Sequence, residues 1–114
     1  DTFIKYTHEL AEAFGVRIPS FGHAGDGNLH VYICRDSLSD TEWKQVKNDC
    51  FDRMYAKAVE LGGLVSGEHG IGHGKMDYLA DFSGPAQMRI MEGIKQVFDP
   101  KMILNPGKVC YKVR

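Results

Sequence analysis

The sequence predicts an α+β fold with helices packed on one face of a small antiparallel sheet. Three observations carry that reading. Two long segments keep helical apolar spacing, residues 28–34 alternate as a strand does, and clusters of glycine separate these segments. The first helix spans 2–14, with Phe3, Tyr6, Leu10 and Phe14 at steps of three and four and Gly15 as its stop. Arg17 to Phe21 reads as extended, and Gly22 to Gly27 as a tight loop. In the strand, Leu29, Val31 and Ile33 point one way and His30, Tyr32 and Cys34 the other.

Ser39 and Glu42 form a Ser-x-x-Glu capping box that opens the second helix. Trp43, Val46, Cys50, Met54, Ala58 and Leu61 hold its apolar face, and Gly62-Gly63 ends it. That face is broad, so the helix is expected to pack on a sheet. Leu64 to Ser66 reads as a short strand, Gly67 to Lys75 as a glycine-rich loop, and Met76 to Phe82 as one or two helical turns. Pro85 suits the first turn of a helix over 85–98, with Met88, Met91, Ile94 and Phe98 on its face. Asp99-Pro100 breaks it, and Leu104-Asn105-Pro106-Gly107-Lys108 turns into a short extended end. Two or three strands are few for an independent domain, which points to one domain, 1–114, that is part of something larger.

Composition excludes several classes. The 114 residues fit one domain, with no internal repeat or linker. Fourteen basic and fifteen acidic residues give a net charge of −1, so nucleic acid is not an expected partner. No apolar run reaches the roughly 18–20 residues of a membrane span, and no signal peptide is visible. The chain opens on Asp1-Thr2-Phe3 without an initiator Met, as a fragment or processed chain would. Cys34, Cys50 and Cys110 fit neither a disulfide scaffold nor a CxxC zinc site. They read as packing residues in a reducing, cytoplasmic setting, with any membrane association peripheral and through partner subunits.

Two loops carry residues capable of chemistry. In Gly22-His23-Ala24-Gly25-Asp26-Gly27-Asn28-Leu29-His30, two histidines seven apart flank a glycine reversal that can fold His23 back toward His30. Asp26 is expected to organise its own loop through Asx-type hydrogen bonds and not to ligate a metal. The second loop is Ser66-Gly67-Glu68-His69-Gly70-Ile71-Gly72-His73-Gly74-Lys75. It is not a Walker A loop, because His69 stands where glycine is needed and Met76 follows Lys75. Nor is it HExxH or a dinucleotide GxGxxG. Two histidines and a carboxylate make a catalytic metal set with open positions. A glycine turn with incidental histidines, and a flexible surface loop, are the bland alternatives. His8 reads as solvated and His73 as secondary, while Trp43 and the methionines read as core.

The two loops, followed by Asp99-Pro100 and Leu104-Asn105-Pro106-Gly107-Lys108, resemble the C-terminal domain of FAD-linked oxidases. Within that group the resemblance is to the flavin subunit of glycolate oxidase, D-lactate dehydrogenases and D-2-hydroxyglutarate dehydrogenase. The match runs from about residue 15 to the end. It implies a ferredoxin-like cap-domain sandwich. It implies that His23, His30 and Glu68 bind a divalent metal (zinc, manganese or iron), that His69 is the catalytic base, and that Asn105 lies near the flavin. The implied reaction oxidises a small D-2-hydroxy acid to the 2-oxo acid, with FAD bound mainly by an upstream domain and an electron-acceptor protein or subunit as partner. The chain alone is then expected neither to bind FAD tightly nor to turn over. Arg17 and Lys75 are cations that the resemblance leaves unassigned.

Three functions compete for these residues. The first is the cap domain of a flavin-dependent D-2-hydroxy-acid dehydrogenase. The second is a related flavoenzyme, such as an ether-lipid synthase or an aryl-alcohol oxidase, although the His/His/Glu set argues against the latter. The third is a non-catalytic metal-binding or interaction module. Metal content and hydroxy-acid binding separate the first from the third.

Overall fold

The computed structural model describes residues 2–111. The chain forms two compact units that meet in sequence between Leu64 and Val65. The first contains α1 (Thr2–Phe14), β1 (Ser20–His23), β2 (Asn28–Val31) and α2 (Asp40–Glu60). The second contains the glycine loop, α3 (Met76–Phe98) and a turn-rich tail. The elements are α+β, with one antiparallel pair of strands among the described residues.

Both long helices of the first unit end as their sequence dictates. Gly15 adopts φ +63°, its N–H reaches the Glu12 carbonyl, and the Val16 N–H reaches that of Ala11. Val16 is then buried against the helix it closes. At the end of α2, Gly62 adopts φ +79° and donates to Val59, while Gly63 donates to Ala58. A side chain at Gly63 would stand 3.0 Å from that same carbonyl, so both glycines are needed. At the start of α2, Ser39 accepts from the Glu42 N–H and the Glu42 carboxylate accepts from the Ser39 N–H.

The core of this unit is Leu10, Val16, Ile18, Cys50 and Met54. Phe3, Tyr6 and Phe14 of α1, Val46 of α2, and Val31 and Ile33 pack around it. The expected face of α1 is therefore the one used, and of α2 the part at Val46, Cys50 and Met54, while Leu61 at its end is exposed at 46%. The expected partner of α2 is not the one used: it packs chiefly on α1. A two-stranded ribbon offers too little surface to cover a helix of 21 residues, so the second helix supplies the rest. Arg53 over the Phe14 ring and Lys57 over the Tyr6 ring bridge the helices at the rim.

The sheet also differs in detail from the expectation. Gly22 and His23 belong to β1, not to the loop, and β2 stops at Val31 instead of residue 34. Beyond Val31 the chain still runs beside its partner, with Tyr32 donating to Pro19 and Cys34 to Arg17. Pro19 has no N–H to return, so the regular ladder ends there. Leu64 to Ser66 is not a strand; no third strand lies beside it among the described residues.

In the second unit α3 is bent at Gly84, which takes φ +73° immediately before Pro85. The proline ring disfavours helical backbone in the residue before it, so two helical stretches meet there, as the sequence predicts. Ile94 and Phe98, expected on the packed face, are exposed at 56% and 83%. Together with Ile90 and Val97 they leave an apolar strip open along the C-terminal half of α3. The tail is turn-like as predicted, but Val109 and Cys110 still turn, and Lys112 to Arg114 lie outside the described residues. No helix among the described residues is long and apolar enough to cross a membrane.

Candidate functional site

The first loop is a hairpin whose register pairs His23 with Asn28, Gly22 with Leu29 and Phe21 with His30. Directly opposed and i, i+2 residues share a face. Phe21, His23, His30 and Tyr32 therefore line one face, and Leu29 and Val31 the other, as the alternation predicts. The His23 and His30 rings lie 5.6 Å apart, edge to face. Phe21 lies 5.1 Å from the His30 ring and stacks on Tyr32 at 5.6 Å. His30 is half-buried and His23 exposed.

Two glycines make this hairpin possible. A Cβ at Gly22 would stand 2.0 Å from the Asn28 carbonyl oxygen, so only glycine lets the strands close there. Gly27 takes φ +64° to lead back into β2. The turn is closed by the Asp26 N–H on the His23 carbonyl, at 3.1 Å. The Asp26 contribution is thus its backbone N–H, in place of the Asx-type side-chain bond expected of it.

The second loop holds Glu68 and His69 side by side, with His69 Nε2 3.6 Å from a Glu68 carboxylate oxygen. Both side chains are substantially exposed. Gly70 and Gly72 take left-handed backbone, at φ +73° and +55°. The loop is tied across its ends. The Ser66 hydroxyl donates to the Gly70 carbonyl at 3.0 Å, and Lys75 Nζ reaches Ser66 Oγ at 3.4 Å. Burial pushes the Lys75 ammonium below its ordinary pKa. His73 is exposed.

The tail motif joins this loop through the Val109 N–H on the Gly72 carbonyl, at 2.9 Å. Asn105 sits at φ +46° and accepts from Lys108 at 3.4 Å. It lines a groove of about 350 Å³ with Met91, Ile94, Lys95, Lys108, Val109 and Cys110. Asp99 anchors the tail. It is buried, receives the N–H groups of Ile103 and Leu104, and pairs with Lys95 at 2.9 Å. Lys95 hydrogen bonds hold its carboxyl below the usual range, helped by the two backbone donors.

Several contacts of the site have no signal in residue spacing. Arg17, a cation that the resemblance leaves unassigned, is committed to a two-pronged pair with Asp36. Phe21 and Tyr32 flank the histidine pair, and for them the alternation that includes His23 and His30 does carry the signal. Ser66 as the loop tie leaves no trace in spacing. Of the cysteines, Cys50 and Cys110 are buried and burial pushes both thiols up, as packing residues should be.

Residues 1–109 match the family described as FAD linked oxidases, C-terminal domain. The chain is 60% identical to a D-lactate dehydrogenase of Anaerostipes hadrus over 111 residues, 97% of this chain and 23% of that protein. It is 43% identical to a D-lactate dehydrogenase of Archaeoglobus fulgidus over 109 residues, 96% of this chain and 24% of that protein. It is 39% identical to the glycolate oxidase subunit GlcD of Bacillus subtilis, over 96% of this chain and 23% of that protein. The chain spans about a quarter of the length of these curated relatives. The histidine hairpin, the Glu-His loop and the anchored tail are thus carried by a chain that belongs to the C-terminal domain family of FAD-linked oxidases.

Proposed function

We propose that this chain is the substrate-side domain of a flavin-dependent enzyme that oxidises a small D-2-hydroxy acid, of the glycolate or D-lactate class, to the 2-oxo acid. The observation that carries the reading is the pairing of His23 and His30 on one face of a hairpin that only glycine at position 22 allows. Relatives named D-lactate dehydrogenase and glycolate oxidase support the substrate class. A family match that runs through both compact units supports their acting as one domain.

In this reading His23, His30 and Glu68 hold a divalent ion. Two imidazoles and a carboxylate suit zinc, manganese or iron, and leave positions for a substrate. Such an ion acidifies a hydroxyl and fixes its orientation. FAD, held mainly outside this chain, supplies the acceptor for the hydride from C2. His69 takes the hydroxyl proton on an imidazole nitrogen, and once protonated it stands 3.6 Å from the Glu68 carboxylate. Asn105, which lines the groove at the end of α3, would lie near the flavin. The partners are the hydroxy acid, the flavin-binding part of the enzyme and an electron acceptor. A reducing, cytoplasmic setting suits three free cysteines.

The test is oxidation of D-lactate and glycolate by the holoenzyme, with metal content measured by elemental analysis. His69→Gln is expected to lower kcat about 10²–10⁴-fold with metal retained. His23→Ala, His30→Ala and Glu68→Ala are each expected to lose the ion. Full metal content in all three variants would overturn the ligand assignment, and normal turnover in His69→Gln would overturn the base.

A further inference from the structure

We propose that Lys75 receives the substrate's carboxylate, and is the residue by which this site selects a hydroxy acid over a neutral alcohol. The proposal rests on the function proposed above and goes beyond it by naming a recognition residue.

The argument starts from an under-compensated charge. Lys75 is half-buried, and among the described residues its ammonium reaches one partner, the Ser66 hydroxyl, at 3.4 Å. That hydroxyl has already given its proton to the Gly70 carbonyl, so it offers Lys75 a lone pair and no charge. An ammonium has three donors, and one long bond to a neutral oxygen leaves most of its hydration unreplaced. Three cations with carboxylate partners are treated differently. Arg17 is paired with Asp36, Lys57 with Glu60 and Lys95 with Asp99, and each pair raises its cation's pKa. Lys75 moves the other way, lowered by burial. A partly desolvated cation with no carboxylate partner among the described residues gains most from an anion that arrives with the substrate.

Position supplies the second half. Lys75 and Ser66 close the ends of the loop that carries Glu68 and His69. His69 follows Ser66 by three residues, a reach of at most about 11 Å along the backbone. A 2-hydroxy acid carries its carboxylate and hydroxyl on adjacent carbons. The group that takes the hydroxyl proton and the group that holds the carboxylate must therefore belong to one small neighbourhood. One ten-residue loop holding both His69 and Lys75 provides it.

The experiment compares D-lactate with its methyl ester as substrates of the holoenzyme, for wild type, Lys75→Met, Lys75→Gln and Lys75→Arg. Glutamine keeps a donor for Ser66, and with it the loop tie, while removing the charge. The expected result is a fall of about 10- to 100-fold in kcat/KM for the acid in Met and Gln, carried by KM, with the ester changed less than about three-fold. Arginine is expected to recover the acid preference to within about five-fold, since it keeps the charge but not the point geometry. Equal losses on acid and ester, or an acid loss confined to kcat, would overturn the proposal and leave Lys75 as a loop tie. A wild type that oxidises neither the acid nor the ester would overturn the proposed function, and this assignment with it.

Discussion

Phe21 stands directly across the hairpin from His30, with the ring centroids 5.1 Å apart. Tyr32 stacks on Phe21, so the His30 ring meets a braced aromatic neighbour on one side and His23 on the other. Phe21 is 60% exposed, so its removal opens no cavity. Phe21→Leu is expected to change stability by less than about 0.5 kcal/mol. It is also expected to weaken zinc binding about three- to ten-fold, because His30 loses its brace. Zinc titration beside thermal unfolding checks both, and unchanged affinity would show that the ring needs no brace.

Gly22 is the most constrained position of the hairpin. Gly22→Ala puts a methyl 2.0 Å from the Asn28 carbonyl oxygen, and backbone must move. A loss of at least about 2 kcal/mol is expected, with metal binding lost as His23 shifts against His30. Gly27→Ala meets open space and suffers only from its φ of +64°, at a cost of about 1–2 kcal/mol. Chemical denaturation of the two variants should rank them in that order.

The capping box of α2 gives a purely structural prediction. Ser39→Ala removes the hydroxyl that accepts the Glu42 N–H, and should cost about 1 kcal/mol. The hydroxy-acid kinetics should not change, since α2 carries none of the proposed site. A denaturant midpoint shifted at constant slope is the expected reading.

Asp99 and Lys95 predict a pH dependence. The Asp99 carboxyl is held below its ordinary 3.8 by the Lys95 hydrogen bond first, and by the Leu104 and Ile103 N–H groups. A depressed folded pKa stabilises the fold above the unfolded value, and that gain disappears as pH falls through the folded one. Lys95 is raised above 10.5 by Asp99, so its share is complete below that value and fades as pH climbs past it. Asp99→Asn should therefore unfold at a lower temperature than wild type at neutral pH. The difference should shrink only below about pH 4. A difference that stayed constant down to pH 2 would show that the backbone donors, not the charge, carry the effect.

The helices were legible because their signals are local. The capping box at Ser39, the glycine stops at Gly15 and Gly62, and the bend before Pro85 are each set within a few residues. The strand faces were legible too, since alternation alone separates His30 from Val31. The short strand expected at Leu64 to Ser66 failed because a strand exists only where a neighbour pairs with it, and no residue run announces its partner. Ile94 and Phe98 keep helical spacing whether or not anything packs on them, so periodicity predicted a burial that is absent.

By itself the sequence determined the α+β composition, the two glycine loops and the residue types they carry. These follow from backbone preferences and side-chain chemistry acting over a few positions. Only the tertiary structure decided that Arg17 is spent on Asp36 while Lys75, among the described residues, meets a hydroxyl. Both are basic residues in a string of letters. Which of them meets a carboxylate, and how much water each has lost, depends on chain segments brought together by folding, and charge compensation is settled there.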